Sequence, residues 1–187
     1  MEIVKIPHPV LFQKAKPVEK IDKKILELIK EMKKTLLAAE NPKGVGLAAP
    51  QVGKPLRIFL TKPWPKSEIS VFINPELKDQ SEELTSGVPE RDNKQSFSSN
   101  KLEGCLSIPK IWGVVKRHER VTLKYQTPDG KTHVKTFSGF MATIIQHEMD
   151  HLDGHLFSSR TVEQKGQFYQ IQKKEEGKEE LVEIELT

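Results

Sequence analysis

Two histidines four residues apart give the clearest chemical signal in the sequence. His147 and His151 lie in the segment Gln-His-Glu-Met-Asp-His. Residues four apart on an α-helix share one face about one turn apart, so two imidazole nitrogens can reach one ion. Glu148 is then close enough to reach a water at that ion without being a ligand, as in the H-E-x-x-H pattern. The spacing predicts half of a metal site with its general base, although an ordinary amphipathic helix with surface histidines gives the same pattern.

A catalytic centre of this kind needs a third protein ligand and an open position. His155 is one candidate, but Gly154 is expected to end the helix first and turn it away. Glu163 is a second candidate. Cys105 is favoured, because a thiolate binds borderline-soft ions tightly and the preceding glycine permits close backbone approach. Without the histidines, a lone cysteine would be read as a small buried hydrophobic residue.

Two helices and several strands are expected to position these residues. Asp22 should cap an amphipathic helix that runs to about Ala39, and Ser138 should cap a second helix that runs to about Leu152. The Pro-Asp-Gly sequence at 128–130 indicates a hairpin turn. Strands are expected at Leu56–Leu60, Ser70–Ile73, Leu102–Ile108, Val121–Tyr125 and Val134–Phe137. We expect an α+β fold in which a central helix carrying His-Glu-Met-Asp-His is surrounded by antiparallel β-sheets, with the N-terminal helix packed outside.

The overall composition is that of a soluble protein with one domain over residues 1–187. The net charge is +4, from 30 basic and 26 acidic residues. Because no compact block of Lys and Arg is present, the sequence argues against direct nucleic-acid specificity. A single cysteine fits a reducing compartment, and no apolar stretch is long enough to span a membrane, so we expect a cytoplasmic protein without a membrane partner.

Two parts of the chain are expected to lie outside the catalytic core. Residues 79–100 are too polar to pack a core and indicate a mobile surface insertion. Residues 162–187 form a charged C-terminal tail, for which we expect a helix-like piece, a flexible turn and a final edge strand.

Three segments together resemble the signature motifs of the peptide deformylase family. They are Gly-Val-Gly-Leu-Ala-Ala-Pro-Gln at 44–51, Glu-Gly-Cys-Leu-Ser at 103–107 and Gln-His-Glu-Met-Asp-His at 146–151, in the family's order. The similarity extends from about Ile6 to Leu156. It implies removal of the formyl group from the N-terminal formyl-methionine of nascent polypeptides, with release of formate. It also implies one divalent metal ion, usually Fe2+, with Zn2+, Ni2+ or Co2+ as substitutes. The slight positive charge in addition favours transient association with the ribosome.

The resemblance also implies roles for individual residues. Cys105, His147 and His151 would hold the metal, while Glu148 would carry a proton from water to the leaving amide nitrogen. The side-chain amide of Gln51 and the backbone N–H of Leu106 would stabilise the oxyanion.

Substrate binding is assigned in part by the same resemblance. Val45 and Gly46 would bind the peptide like an added strand. Phe140 and Ile144 continue the histidine face of the helix toward its N-terminus, so they and Val45 are the candidates for an apolar pocket that would take the methionine side chain. A pair of Glu103 and Arg117 would support the site. Trp112 lies where some family members carry a basic residue, so contacts beyond the methionine are expected to differ.

Two alternative functions remain open at the level of sequence. A zincin-type endopeptidase would take its third ligand downstream of His151 and would tolerate Cys105→Ser. A catalytically silent binder would associate with ribosomes whether or not Glu148 is intact.

Overall fold

The structure is a computed structural model that describes residues 1–40, 43–85, 102–173 and 179–185. Within these ranges the α-helices are α1 (Lys23–Ala38), α2 (Gly139–Leu152) and α3 (Phe157–Glu163). Short 3-10 helices span Pro9–Phe12 and Ala49–Val52. None of the helices in the described ranges is both long and apolar enough to cross a membrane.

The strands form two main antiparallel sheets. They are β1 (Gly46–Ala48), β2 (Ile58–Thr61), β3 (Ser70–Gln80), β4 (Leu84–Thr85), β5 (Leu102–Cys105), β6 (Ile108–Val114), β7 (Arg117–His118), β8 (Arg120–Gln126), β9 (Thr132–Ser138), β10 (Phe168–Lys173) and β11 (Glu179–Ile184). The first sheet has the order β1-β2-β3-β8-β9, and the second has the order β11-β10-β6-β5. The strands β4 and β7 pair separately. The expected mixture of helices and antiparallel sheets is confirmed.

Helix α1 covers one face of the first sheet. The Asp22 carboxylate accepts hydrogen bonds from the backbone N–H groups of Lys24 and Ile25, which satisfies two of the free donors at the helix start. Its buried residues Ile29, Met32 and Leu36 pack in one apolar cluster with side chains from β1, β2 and β3. This cluster fixes the position of the strand β1.

Helix α2 is fixed in place by apolar packing against the first sheet. Ala142, Ile145 and Leu152 pack with Phe59 and Phe72 of the first sheet. The face that carries the histidines therefore has a fixed direction.

The ends of α2 only partly match the expectation. Ser138 occupies the N-cap position, but its side chain makes no capping hydrogen bond. Instead, the carboxylate of Glu119 accepts a hydrogen bond of 3.1 Å from the Gly139 N–H. This longer-range partner comes from a neighbouring segment, so local sequence could not predict it. Gly154 adopts φ +78° just after the helix, as expected for a helix terminator.

The expected strand Leu102–Ile108 is wrong in one respect, because the segment folds back on itself. The strands β5 and β6 pair as a hairpin in which Cys105 lies opposite Ile108. Leu106 and Ser107 form the turn between them. Alternating apolar residues cannot distinguish one strand from two short ones joined by a tight turn. The hairpin of β8 and β9 matches its prediction, and Gly130 in its turn has φ +80°.

The C-terminal segment also differs from the expectation. Instead of a helix-like piece, residues after α3 form β10, which pairs with both β6 and β11. Pairing with a long existing strand outweighs a weak local helical pattern. The final strand β11 does lie at the edge of its sheet. Of the expected insertion, residues 79–80 belong to β3 and 84–85 form β4, while 86–100 lie outside the described residues.

Candidate metal centre and active site

The hairpin turn after β5 brings Cys105 against the histidine face of α2. The ligand atoms of Cys105, His147 and His151 all lie within 4.8 Å of one another. The Cys105 Sγ is 3.2 Å from the His151 Nε2. A tetrahedral ion with metal–sulfur and metal–nitrogen bonds of about 2.3 and 2.0 Å needs an S···N separation of about 3.5 Å. The three side chains therefore fit one metal ion with little rearrangement.

The other two candidates for the third ligand are not part of this group. Among the described residues, the possible metal-binding cluster consists of Cys105, His147 and His151. Glu163 instead pairs with Arg160, at an N···O distance of 3.1 Å. His155 is exposed on the far side of Gly154. The described residues downstream of His151 therefore do not supply the third ligand that a zincin would use.

Glu103 sets the orientation of the first histidine. Its Oε2 is 3.0 Å from the His147 Nδ1. Burial would raise the pKa of the Glu103 carboxyl, but Arg117 outweighs this effect and lowers that pKa to about 2. The ionised carboxylate accepts a hydrogen bond from the His147 Nδ1–H, so Nε2 is the ring nitrogen at which a metal would bind in place of a proton.

The environment of Cys105 favours its thiolate form. Burial alone would raise the pKa of the thiol, but the adjacent His151 and His147 outweigh it and hold the pKa well below its usual value. The backbone N–H of Ser107 also donates to the sulfur at 3.4 Å. A thiolate is the form that binds metal.

Glu148 is buried beside the three ligands. Its side chain is only 3% exposed, and burial raises the pKa of its carboxyl to about 7. Its Oε2 and the His151 Nδ1 have no hydrogen-bond partner among the described residues. Buried polar atoms of this kind are rare in folded proteins and are typical of sites that handle water, ions or protons.

Gly46 makes room for this carboxylate. A Cβ at position 46 would lie 2.7 Å from the Cδ of Glu148 and 3.0 Å from its Cγ. The strand β1 therefore passes so close to α2 that its first residue has space for a hydrogen atom only.

Gln51 directs its amide group toward the same place. Its Oε1 accepts a hydrogen bond of 2.8 Å from the Ala48 N–H. Its Nε2 lies 3.4 Å from both the Cys105 Sγ and the Ser107 Oγ. Because the oxygen is already held, the two amide hydrogens must face the site. Ser107 is fully buried. Sequence reasoning gave it no role, although it belongs to the Glu-Gly-Cys-Leu-Ser motif that contains Cys105.

A cavity of about 250 Å³ opens beside Cys105 and Glu148. Val45, Gly46, Leu106, Phe140 and Ile144 are among the residues that line it. Its remaining lining includes Trp112, whose ring packs so closely on Gly104 that a Cβ there would lie 2.8 Å from it. The absence of a side chain at Gly104 therefore makes room for the Trp112 indole, and not for another backbone segment as expected. Outside the cavity, Trp64 contacts the Phe140 ring at 5.3 Å between centroids.

Behind the ligands lies a buried row of alternating charges. Arg117 donates to Glu103 at 2.7 and 2.9 Å, which is the pair expected from sequence. It also donates to Asp150 at 2.6 Å, and Asp150 in turn accepts from Arg160 at 2.7 Å. Sequence reasoning missed Asp150 and Arg160. The available signal was Asp150 itself, since a carboxylate on a largely buried helix requires a partner.

Comparison with known proteins gives one consistent result. The family model of polypeptide deformylase matches residues 1–167. A peptide deformylase of Dictyoglomus thermophilum is 44% identical over 164 residues, covering 87% of this chain and 94% of the relative. A peptide deformylase of Novosphingobium aromaticivorans is 38% identical over 178 residues, covering 83% and 86%. Among solved structures, that of the Thermotoga maritima peptide deformylase superposes with a TM-score of 0.72 at 34% identity, covering 85% of this chain and 95% of the other.

Proposed function

The chain belongs to the peptide deformylase family, and from this premise we propose how its residues perform metal-dependent removal of the formyl group from N-formyl-methionyl nascent polypeptides. The reaction hydrolyses the formamide bond, yielding formate and a free amino group. The chemistry requires a water-derived nucleophile, a proton for the departing nitrogen and donors for the oxyanion.

The proposed metal ligands are Cys105, His147 and His151. When bound, the ion supplies Lewis acidity at the formyl oxygen and lowers the pKa of water. We assign Fe2+ as the physiological ion on the resemblance alone, because a set of one sulfur and two nitrogens also accepts Zn2+, Ni2+ and Co2+. Elemental analysis of protein purified without oxygen tests this assignment, since aerobic handling oxidises thiolate-bound ferrous sites.

Glu148 is the proposed general base and acid. Its burial, its pKa near 7 in the metal-free structure and its lack of a fixed partner at Oε2 support this role. A carboxylate that is not locked in an ion pair can accept a proton from the attacking water and deliver it to the amide nitrogen. The contact with Gly46 limits where the carboxylate can move during this transfer.

Gln51 and Leu106 are the proposed oxyanion donors. The fixed direction of the Gln51 amide supports its assignment, because a donor that needs no reorientation stabilises developing charge most effectively. Leu106 lies in the turn that follows Cys105, so its backbone N–H is set by the same turn that presents the thiolate.

The substrate is proposed to bind between two sheet edges. Both β1 and β5 are terminal strands of their sheets, and both border the cavity. An extended peptide can therefore pair with the strand edge at Val45 and Gly46. The methionine side chain would enter the apolar part of the cavity between Val45, Phe140 and Ile144. In this arrangement α2 acts as the central scaffold, since it carries both the chemistry and one wall of the pocket.

The observation that carries the proposal is the convergence of three ligand atoms beside a buried carboxylate at an apolar cavity. The test is an anaerobic assay of formate release from a formyl-Met peptide, with metal analysis of each sample. We expect wild-type protein to be active, Glu148→Ala to bind metal without activity, and Cys105→Ser to lose both. Wild-type release no faster than that of metal-loaded Glu148→Ala would reject the proposal.

The cellular context is proposed on more general grounds. Because its substrate emerges from the ribosome, we infer transient ribosome association in the cytoplasm, which cosedimentation with translating ribosomes would detect. We also propose that residues 1–187 act as one domain, with 79–100 as a surface insertion and 162–187 as an appended tail. The pairing of β10 with β6 supports inclusion of the tail in that domain.

A further inference from the structure

The row of buried charges behind the metal ligands ends on α3, at a residue that does not line the substrate cavity. In order, it consists of His147, Glu103, Arg117, Asp150 and Arg160. The side chains of Glu103, Arg117 and Asp150 are each at most 10% exposed, whereas that of Arg160 is 33% exposed. The row therefore connects a proposed metal ligand with the protein surface.

Each link in this row is a direct hydrogen bond between charged or polar side chains. The Glu103 Oε2 is shared, since it accepts from the Arg117 Nη2 at 2.9 Å and contacts the His147 Nδ1 at 3.0 Å. Arg117 also donates from Nη1 to the Asp150 Oδ2 at 2.6 Å. The single positive charge of Arg117 is thus shared between two buried carboxylates, those of Glu103 and Asp150.

Arg160 supplies the second positive charge. Its Nη2 donates to the Asp150 Oδ1 at 2.7 Å, and its Nε lies 3.2 Å from both carboxylate oxygens. Removal of Arg160 would leave the Oδ1 without these donors. The Asp150 carboxylate would then compete with Glu103 for Arg117, because an uncompensated buried carboxylate is strongly unfavourable.

We propose that Arg160 is a positioning residue for the metal centre, because it neutralises Asp150 and so leaves Arg117 free to hold Glu103 against the ligand His147. This inference rests on the proposed ligand set. A second contact reinforces it, since Phe157 on the same helix stacks on the His147 ring at 6.2 Å between centroids. Helix α3 thereby contacts this ligand both through a ring and through a row of charges.

The test measures how firmly the site holds a metal. Wild-type protein loaded with Co2+ is mixed with excess chelator, and loss of the thiolate–cobalt absorption gives the release rate. Partners behind metal ligands typically change metal affinity by about 10- to 100-fold when mutated. Because Arg160 acts through three intervening residues, we expect release from Arg160→Gln to be about 10-fold faster, at the lower end of that range.

Arg57→Gln is the matched control. Arg57 forms an ion pair of 2.8 Å with Asp153, just after the end of α2, and donates to the Pro75 carbonyl, but forms no hydrogen bond or ion pair with the residues of the row. We expect this variant to release Co2+ at the wild-type rate. Equal release rates for Arg160→Gln and Arg57→Gln would overturn the proposal.

Two further variants test the route. In an Asp150→Asn background, Arg160→Gln should have no additional effect, whereas a full additional effect would overturn the route through Asp150. Arg160→Lys keeps the charge and should release Co2+ more slowly than Arg160→Gln; equal rates would overturn the charge argument. Failure of the proposed ligand set gives a different result, because wild-type protein would then show no thiolate–cobalt absorption at all.

Discussion

Gly46→Ala should inactivate the enzyme by displacing Glu148. The added methyl carbon would lie 2.7 Å from the Glu148 Cδ, against a normal carbon–carbon contact of about 3.5 to 4.0 Å. The carboxylate must therefore move by about 1 Å, and a misplacement of that size costs about 100-fold in rate. General acid–base catalysis is worth about 100- to 10,000-fold, so kcat/KM should fall by at least about 100-fold, toward the level of Glu148→Ala.

The assay is hydrolysis of a formyl-Met peptide, with metal content measured on the same samples. Gly166→Ala is the control, because a Cβ at position 166 would meet the backbone oxygen of Val114 and the Thr161 side chain, and position 166 does not line the cavity. It should lower stability while the activity of the folded protein is largely kept. Fully metal-loaded Gly46→Ala with wild-type kcat/KM would refute the reasoning.

A double-mutant cycle separates the clash from other effects of the substitution. Overpacking of this kind typically lowers the free energy of unfolding by about 1 to 3 kcal/mol. In a Glu148→Ala background the colliding atoms are absent, so Gly46→Ala should cost much less there. Identical costs in both backgrounds would show that the two residues do not collide.

Three more predictions follow from the buried charges and the metal site. Arg117→Gln should lower the free energy of unfolding in urea by about 3 to 5 kcal/mol, because it leaves Glu103 and Asp150 unpaired, and a cost as small as that of an exposed ion pair would contradict this. The pKa of the Glu148 carboxyl is about 7 in the folded protein, against a normal value of 4.5, so its ionised form destabilises the fold. In metal-free protein above pH 7, Glu148→Gln should therefore raise the free energy of unfolding by up to about 3 kcal/mol. That advantage should disappear as the pH falls toward 4.5, and a pH-independent difference would exclude this cause. Saturation with metal at 100 times its Kd should stabilise wild-type protein by about 2.7 kcal/mol in thermal unfolding, but should leave Cys105→Ser unchanged.

Local patterns were sufficient to predict the parts of the site that lie on one helix. The spacing of His147 and His151 and the position of Glu148 between them depend only on helical periodicity. The cavity lining at Phe140 and Ile144 follows from the same helix face. Asp22 and Gly154 were predictable for a similar reason, because helix ends have local chemical requirements.

Features that depend on distant partners were not predictable from such patterns. The turn after Cys105 exists because β5 pairs with β6, and the start of α2 is capped by Glu119 rather than by Ser138. Asp150 and Arg160 pair through the packing of α3 against α2, which local sequence does not specify. Thiolate chemistry, rather than periodicity, favoured Cys105 as the third ligand, and the resemblance alone assigned Gln51 and Leu106 to the same site.

The added hairpin of β10 and β11 also affects how copies of this protein meet one another. Without it, β6 would present unpaired backbone groups along the side that now pairs with Phe168, Tyr169 and Gln170. An open strand edge of this kind invites intermolecular pairing and aggregation. The hairpin moves the edge outward to β11, which ends near the exposed carboxylates of Glu183 and Glu185. Charged side chains on an edge strand disfavour pairing with another chain, so the C-terminal segment both completes a sheet and protects its edge.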